Sequence, residues 1–350
     1  VEGAEKWTQH LEFPRTWRDI RSGERFDTDY RGNEITPQQE EVLQPQTLSA
    51  GFSSVLGRQA VPLAKGLYTA QITMTRESMQ IGSVRLVQPE RRSYNEYLDK
   101  IGGKEHRADE QVSVEAELTS AKSHSSILPT YDRSSPSIRP NDPERIQLNL
   151  IGGSSYAQAG QWLEWKVRVK KAGYYNLSFR YTQDSLRGLG VGQRVWLDEE
   201  VPFEDFDQIQ FPFADSFTTL MAAQEDGTPY RLYLGEGEHT LRLEVNGSHL
   251  EQPAMRLEEL VRQGNALYRA IVSVTGVTPD PYRDYDLDKE LPELLPGLQA
   301  LRQGLKETAV EIDQYSDGTG GSETAVLYEM IRLLDSLLET PYKIQNRLSN

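Results

Sequence analysis

Apolar and polar residues alternate in short runs between residues 111 and 249, which is the pattern of half-buried β-strands. The clearest run is 162–169, in which every second residue from Leu163 onward is apolar. Gly- and Pro-containing turns separate the runs, and Gly235–Gly237 is predicted to join strands 230–234 and 240–245 as a hairpin. Many short strands without helices between them predict an antiparallel, two-sheet jelly roll. The residues predicted to point inward are Leu163, Trp165, Val167, Leu177, Phe179, Leu241 and Leu243.

The run Val112–Ala116 also alternates and is predicted to be the opening strand of this jelly roll. After Gly247 the apolar spacing changes to three and four residues. This spacing predicts three amphipathic helices, over 254–275, 294–312 and 326–338. Three such helices with short connections predict a small bundle, or a helical layer that packs on a sheet.

An internal repeat gives an interpretation of the first ninety residues. Residues 5–19 resemble 205–217, and residues 63–72 resemble 234–243. The repeat predicts tandem jelly-roll modules, of which the first is incomplete. The predicted domains are 1–90 as the C-terminal part of the first module, 91–110 as a charged linker, 111–249 as the second module, and 250–350 as a helical insertion. The fold class is therefore mainly β with an α-helical part.

Composition narrows the possible functions. The 350 residues carry a net charge of −15, which argues against binding to nucleic acid or to an anionic lipid surface. The sequence has no cysteine, so it has neither disulfides nor thiol chemistry. It contains no apolar run of about 18 residues, so direct membrane insertion is not expected. Because the chain begins at Val1 without a signal-peptide pattern, we expect a fragment or a processed product.

Catalytic motifs are absent from the sequence. No two of the five histidines have metal-protease spacing, and Gly152–Ser155 lacks the second glycine of a nucleophile elbow. The run Gly188–Gly192 lacks the Lys-Ser/Thr of a phosphate loop and is interpreted as a turn. We therefore expect a protein that is not an enzyme. Paired carboxylates for glycoside hydrolysis depend on distances that sequence spacing does not give.

Two resemblances extend this interpretation. The runs Gly160–Val167 and Ala172–Tyr181, the predicted hairpin segment Gly235–Val245 and the predicted opening strand Val112–Leu118 resemble jelly-roll carbohydrate-binding modules of families 6 and 35. Over nearly the whole chain, Arg31–Ile35, Tyr131–Pro136, Ile151–Ser154, Val201–Phe203 and Thr278–Tyr285 resemble large solute-binding lipoproteins of Gram-positive bacteria. These are the extracellular components of ABC transporters.

The second resemblance implies a cellular context. It places the protein outside the cell, anchored at the surface through an N-terminal lipoprotein segment that this sequence lacks. It implies a polysaccharide or oligosaccharide as ligand, and an ABC transporter permease as partner through the parent protein. The two-lobed sugar-binding domain of that family is missing here, so only an accessory role is carried over. The resemblance also implies a first module that begins before Val1 and a closing strand beyond Asn350.

The resemblance to carbohydrate-binding modules implies candidate site residues. Trp162 matches one aromatic residue on which a sugar ring would stack, Phe213 or Phe217 lies near the second, and Tyr156 is a further candidate. Trp162 is equally compatible with a place in the core. A structural calcium ion of such modules would use Glu115 and Glu117 of the opening strand, which are also compatible with solvent-facing positions.

The leading hypothesis is a non-catalytic, extracellular carbohydrate-recognition or scaffold region of a sugar-uptake solute-binding lipoprotein. A purely structural spacer is the first alternative, and an accessory module of a polysaccharide-degrading enzyme is the second. Calcium is the only cofactor that the sequence suggests.

Overall fold

The computed structural model describes residues 11–12, 15–44, 49–50, 65–69, 71–74, 81–84, 92–102, 109–135, 138–185, 188–280, 282–315, 322–341 and 344. The strands are β1 (Leu11–Glu12), β2 (Thr16–Asp19), β3 (Gln39–Val42), β4 (Ser49–Ala50), β5 (Ala121–Lys122), β6 (Pro129–Thr130), β7 (Leu150–Ile151), β8 (Trp162–Val169), β9 (Gly173–Tyr175), β10 (Ser178–Gln183), β11 (Val191–Leu197), β12 (Ile209–Phe211), β13 (Ala214–Met221), β14 (Leu232–Leu234) and β15 (Gly237–Val245). The helices are α1 (Tyr94–Ile101), α2 (Glu251–Thr275), α3 (Leu287–Glu290), α4 (Leu294–Tyr315) and α5 (Ser322–Glu339), with 3-10 turns at Gly153–Ser155, Glu204–Asp207 and Ser248–Leu250.

A seven-stranded antiparallel sheet is the main element of the β region. Its strand order is β12-β11-β15-β8-β5-β2-β3. The longest pairing joins β8 to β15, with Trp165 opposite Leu241 and Leu163 opposite Leu243. The sheet brings the alternating runs together so that their apolar residues share one face. The fold class is confirmed: a mainly β part is followed by a helical part.

A second layer covers the apolar face of this sheet. It consists of the antiparallel pairs β9–β14 and β10–β13. Leu163 and Trp165 are buried as predicted. The side chains of Leu177, Phe179, Leu241 and Leu243 are half-buried and pack against the core clusters, while Val167 is half-buried.

The predicted hairpin at 230–245 is wrong. Strand β14 pairs with β9 in the second layer, whereas β15 pairs with β8 and β11 in the large sheet. The turn at Gly235–Gly237 therefore carries the chain from one layer to the other. Gly237 has φ +137°, a conformation that residues with a side chain rarely adopt. Periodicity indicates that both strands exist but does not say which strands they pair with.

The predicted opening strand at Val112–Ala116 is also wrong. These residues lie outside any strand, and Val114 is exposed. The Leu118 N–H donates to the Glu115 carbonyl, which turns the chain before β5. The alternation of apolar residues is present, but these residues have no partner strand among the described residues.

Residues of the N-terminal segment belong to the same sheet as the second module. Strand β2 joins β5 through Trp17 and Lys122, and β3 follows β2 at the edge. A buried ion pair between Lys122 Nζ and Asp19 Oδ1, at 2.6 Å, ties β2 to β5. In the described residues, 15–44 thus extend the large sheet and do not form a sheet of their own. In the repeat at 63–72, residues 65–69, 71 and 72 are described and lie outside any strand. Most of the rest of the predicted first module lies outside the described residues.

The predicted linker at 91–110 contains helix α1, which begins with a capping box between Ser93 and Glu96. The hydroxyls of Tyr94 and Tyr97 accept hydrogen bonds from the Arg231 and Tyr233 N–H groups, each at 3.0 Å. The helix therefore satisfies backbone donors on the free side of β14. Covering an edge in this way protects it from pairing with another chain.

The helical part follows β15 and is organised around α4. Helix α4 packs against both α2 and α5, and Leu294, Leu298, Leu301 and Leu305 are buried in the shared core. The predicted helices correspond to α2, α4 and α5, whereas the short α3 was not predicted. Among the described residues, no helix has the length and apolar character needed to cross a bilayer.

Two glycines allow α2 and α4 to approach closely. A Cβ atom at Gly297 would lie 2.7 Å from Leu267 Cδ2, and one at Gly304 would lie 2.6 Å from Leu260 Cδ2. The two glycines are seven residues apart, and so are the two leucines. Residue numbers increase in opposite directions along the two helices, so the two pairs are in step. The leucines of α2 thus occupy positions on α4 that only glycine leaves open.

We expect Trp165→Ala to lower the free energy of unfolding by about 3–5 kcal/mol, because a large core side chain is lost. Trp165 is 7% exposed, and its indole N–H donates to the Ala116 carbonyl at 2.9 Å. Urea denaturation measures the change. Tyr282→Ala is the control, since this ring is 96% exposed, and it should change stability by less than about 0.5 kcal/mol. Equal stability of Trp165→Ala and the original protein would contradict the core assignment.

We expect Gly304→Leu to destabilise the helical part by about 1–3 kcal/mol, because the new side chain meets Leu260. Adding Leu260→Ala should restore part of this loss, since it makes room across the interface. Thermal denaturation of the two single variants and the double variant tests the packing. Strictly additive effects would show that these two positions do not touch.

Candidate functional site

The face of the large sheet that points away from the core carries two rows of aromatic and charged residues. In both rows the residues lie directly opposite one another on β8, β15 and β11. The first row is Trp162, Glu244 and Arg194, and the second is Glu164, Arg242 and Trp196. We call these six residues the outer-face network.

Ion pairs link the strands within each row. The Arg242 guanidinium donates to Glu164 Oε2, with its shortest N–O distance at 2.6 Å. Arg194 Nη1 donates to Glu244 Oε1 at 2.9 Å, and Arg194 also pairs with Asp207. The charges alternate in sign, so each carboxylate is held by a guanidinium from the neighbouring strand.

Diagonal contacts link the two rows. The Arg242 guanidinium carbon lies 4.1 Å from the centre of the Trp162 ring. The Trp196 indole N–H donates to Glu244 Oε2 at 2.8 Å. Both tryptophans are only 6–7% exposed. The network is therefore a buried, hydrogen-bonded layer and not an open binding platform.

A groove of about 470 Å³ lies at the edge of this network. It is lined by Arg18, Glu41, Val42, Leu43, Gln44, Ser120, Glu164 and Lys166. Gln44 Nε2 donates to Glu164 Oε1 at 3.2 Å. Within the described residues, Gln44 Oε1 is buried and has no hydrogen-bond partner. The groove thus offers guanidinium and ammonium donors beside carboxylate acceptors, which suits a ligand with several hydroxyl groups.

The structure places Trp162 in the outer-face network and not on an exposed loop. Its ring is covered by Arg242, and its backbone N–H donates to Ser123 Oγ at 2.9 Å. The sequence left open whether this residue belongs to a site or to the core. The contacts show a buried structural residue, because no free ring face remains for a sugar.

Tyr156 lies on the opposite side of the large sheet, where it packs against the cluster of Leu163 and Trp165. Its hydroxyl lies 3.0 Å from Gln193 Oε1 and 2.8 Å from the Leu243 carbonyl oxygen. Burial raises the pKa of this hydroxyl well above its usual value. These contacts indicate a satisfied core tyrosine.

Phe213 and Phe217 belong to the second layer. Phe217 is half-buried on β13, and the Arg180 guanidinium lies 5.6 Å from the centre of its ring. Phe213 is half-buried in the turn before β13. The four predicted carbohydrate-binding residues therefore lie on different surfaces, and the structure does not bring them together.

The two predicted calcium ligands have different surroundings. Glu115 is exposed, whereas Glu117 is 1% exposed and lies 3.2 Å from Arg25 Nη1. Within the described part of the chain, no group of three His, Cys, Asp or Glu side chains is arranged to hold a metal ion. The residues present do not fit a calcium ion, because a guanidinium already contacts the buried carboxylate. Calcium at this position stays a prediction from the sequence.

Sequence reasoning missed Arg242, Arg194 and Gln44. The two arginines stand at outward positions of alternating strands, where a charged residue is ordinarily interpreted as solvated. Only the strand register shows which carboxylates the two arginines pair with. Gln44 lies about 120 residues from its partner Glu164, and no local pattern links them.

Residues 253–350 match the family described as "Bacterial solute-binding protein, 4-helix bundle domain". These residues contain α4 and α5 and most of α2. A search of curated proteins found no match.

Solved structures share weak similarity with the chain. One is a cycloisomaltooligosaccharide glucanotransferase of Paenibacillus sp., with 20% identity, TM-score 0.28, and 38% of this chain and 16% of that one covered. A family 35 carbohydrate-binding module of Clostridium thermocellum has 17% identity, TM-score 0.22, and 28% and 66% coverage. A β-(1,4)-mannanase with such a module from Podospora anserina has 12% identity, TM-score 0.26, and 67% and 73% coverage. The chain thus spans less than two thirds of the first two proteins.

We expect Arg242→Ala to cost about 3–5 kcal/mol of unfolding free energy, because it leaves the buried Glu164 carboxylate without its cation. The double change Glu164→Gln with Arg242→Met should cost less than Arg242→Ala alone, since no unpaired charge remains buried. Equilibrium urea denaturation provides both values.

The control for this prediction lies on the same two strands. Lys166 pairs with Glu238 at 2.8 Å, but both side chains are more than half exposed. We expect Lys166→Ala to cost less than about 1 kcal/mol, as is typical of surface ion pairs. A similar loss for Arg242→Ala and Lys166→Ala would contradict the inferred importance of the buried network.

Proposed function

We propose that the chain is a non-catalytic saccharide-recognition region of a bacterial solute-binding protein that takes part in sugar uptake. The observation that carries this proposal is the match of residues 253–350 to the helical domain of such proteins. The chain joins that domain directly to a β-sandwich, because α2 begins six residues after β15 ends. The two parts are thus continuous in sequence.

The groove beside the outer-face network supports a saccharide as the ligand. Sugar hydroxyls both donate and accept hydrogen bonds, and the groove supplies both kinds of partner. Arg18 and Lys166 line the groove as donors, and Glu41 and Glu164 line it as acceptors. Arg242 on the neighbouring strand β15 holds Glu164 in place. Gln44 Nε2 donates to Glu164 Oε1 at 3.2 Å and so helps to hold this carboxylate at the groove wall.

The cellular context forms part of the proposal. A sugar-uptake role would place the chain outside the cell, attached to the surface through another part of its parent protein. The parent protein would then deliver sugar to an ABC transporter permease.

A structural spacer is the alternative that a specific observation favours. Trp162 and Trp196, which lie on the sheet face beside the groove, are buried in ion pairs and not displayed. A sheet face that serves only to hold the strands together would carry buried aromatic and charged residues of this kind. The two functions differ in one measurable property, which is whether any sugar binds.

A glycan array followed by titration calorimetry separates them. We expect the full chain to bind at least one oligosaccharide, and Gln44→Ala to weaken that binding about tenfold, because Glu164 loses a hydrogen bond that holds it at the groove wall. Lys306→Ala is the matched control, because this exposed lysine lies on α4, in the helical part and outside the groove lining. It should leave affinity unchanged.

Two results would contradict the proposal. The absence of any glycan signal would favour the spacer. Binding that survives Gln44→Ala but is lost in Phe217→Ala would move the site to the second layer.

A further inference from the structure

Arg25 inserts its guanidinium between two carboxylates that come from distant parts of the chain. Arg25 Nε and Nη2 donate to the two oxygens of Glu34 at 2.7 and 3.0 Å. Nη1 donates to Glu117 Oε1 at 3.2 Å, and Nη2 also donates to the Leu148 carbonyl at 2.7 Å. Four oxygen atoms therefore surround one guanidinium.

The oxygen atoms of this cluster are fixed by burial and by the backbone. Glu34 is 8% exposed and Glu117 is 1% exposed. The Leu148 N–H donates to Glu34 Oε2 at 2.7 Å, which orients that carboxylate toward Arg25. Among the described residues, the second oxygen of Glu117 is buried without a hydrogen-bond partner. Two carboxylates and one carbonyl are the ligands that a hard divalent cation would also take.

Burial and the charges within the cluster shift the pKa values of Arg25 and Glu117. The hydrogen bonds that Arg25 donates to Glu34 are the main cause that raises the pKa of Arg25, although burial opposes it. Burial raises the pKa of Glu117 to about 7, and the Arg25 charge opposes this rise. Without a cation, two buried carboxylates would face each other at a cost in stability.

We propose that Arg25 is the built-in cation of this site, so that the β region folds without calcium. The guanidinium occupies the place that a metal ion would need among the same oxygens, and the two positive charges exclude each other. The site also joins the N-terminal segment, which supplies Arg25 and Glu34, to the second module, which supplies Glu117 and Leu148. Arg25 therefore makes the N-terminal segment part of the module's own structure.

Thermal denaturation with 5 mM CaCl₂ or with a chelator tests this proposal. We expect the original protein to melt at the same temperature in both conditions. Arg25→Ala should melt about 5–10 °C lower in chelator, because both carboxylates lose their cation. Calcium should then raise the melting temperature of this variant by about 2–4 °C, since the metal can enter the vacated place and bind the folded state only.

Two control variants make the result specific. Arg25→Ala combined with Glu117→Gln should lose the response to calcium, because one carboxylate ligand is removed. Arg18→Ala removes an exposed arginine that pairs with Glu40 on the neighbouring strand. It should give no response to calcium.

If Arg25→Ala does not fold, the same comparison is made with Arg25→Gln, because the glutamine side chain fills part of the space. Calorimetric titration of the original protein with calcium adds an independent measurement. Calcium binding that raises the melting temperature of the original protein would overturn the proposal. Identical melting of the Arg25 variant with and without calcium would overturn it as well.

Discussion

The register between β8 and β15 determines which side chains of the β region lie in the core and which lie on the outer face. Because Trp165 lies opposite Leu241, the apolar residues of both strands face the second layer. The same register places Glu164 opposite Arg242 on the other face. A shift by one residue would turn the apolar residues outward and bury the charges in the core. One pairing thus creates both the core and the outer-face network.

The N-terminal segment is held to this sheet by buried charges as well as by strand pairing. Lys122 pairs with Asp19, and Arg25 pairs with Glu34 and Glu117. Buried ion pairs add little net stability, but removing one partner is costly. Such pairs therefore act mainly to specify which segments come together. The groove depends on this arrangement, because its walls include residues of β2, β3 and β8.

The helical part obeys a different constraint. In the residues that the structure describes, its interior is formed mainly by leucines and isoleucines, and two glycines of α4 determine how closely α2 approaches. Packing of this kind favours rigid association over a ligand pocket, since a pocket needs convergent polar groups. The polar groove that could receive a ligand lies in the β region.

The sequence by itself determined the secondary structure wherever periodicity is long and regular. The predicted run 162–169 is identical to β8, and the predicted helices fall within α2, α4 and α5, because burial of one face leaves a repeating pattern. Tertiary structure alone decided strand partners, as the separation of β14 from β15 shows. It also decided the roles of Trp162 and Glu117. The partners of these residues, Arg242 and Arg25, lie about 80 to 90 residues away along the chain, and only folding brings a guanidinium to an otherwise ordinary strand or turn residue.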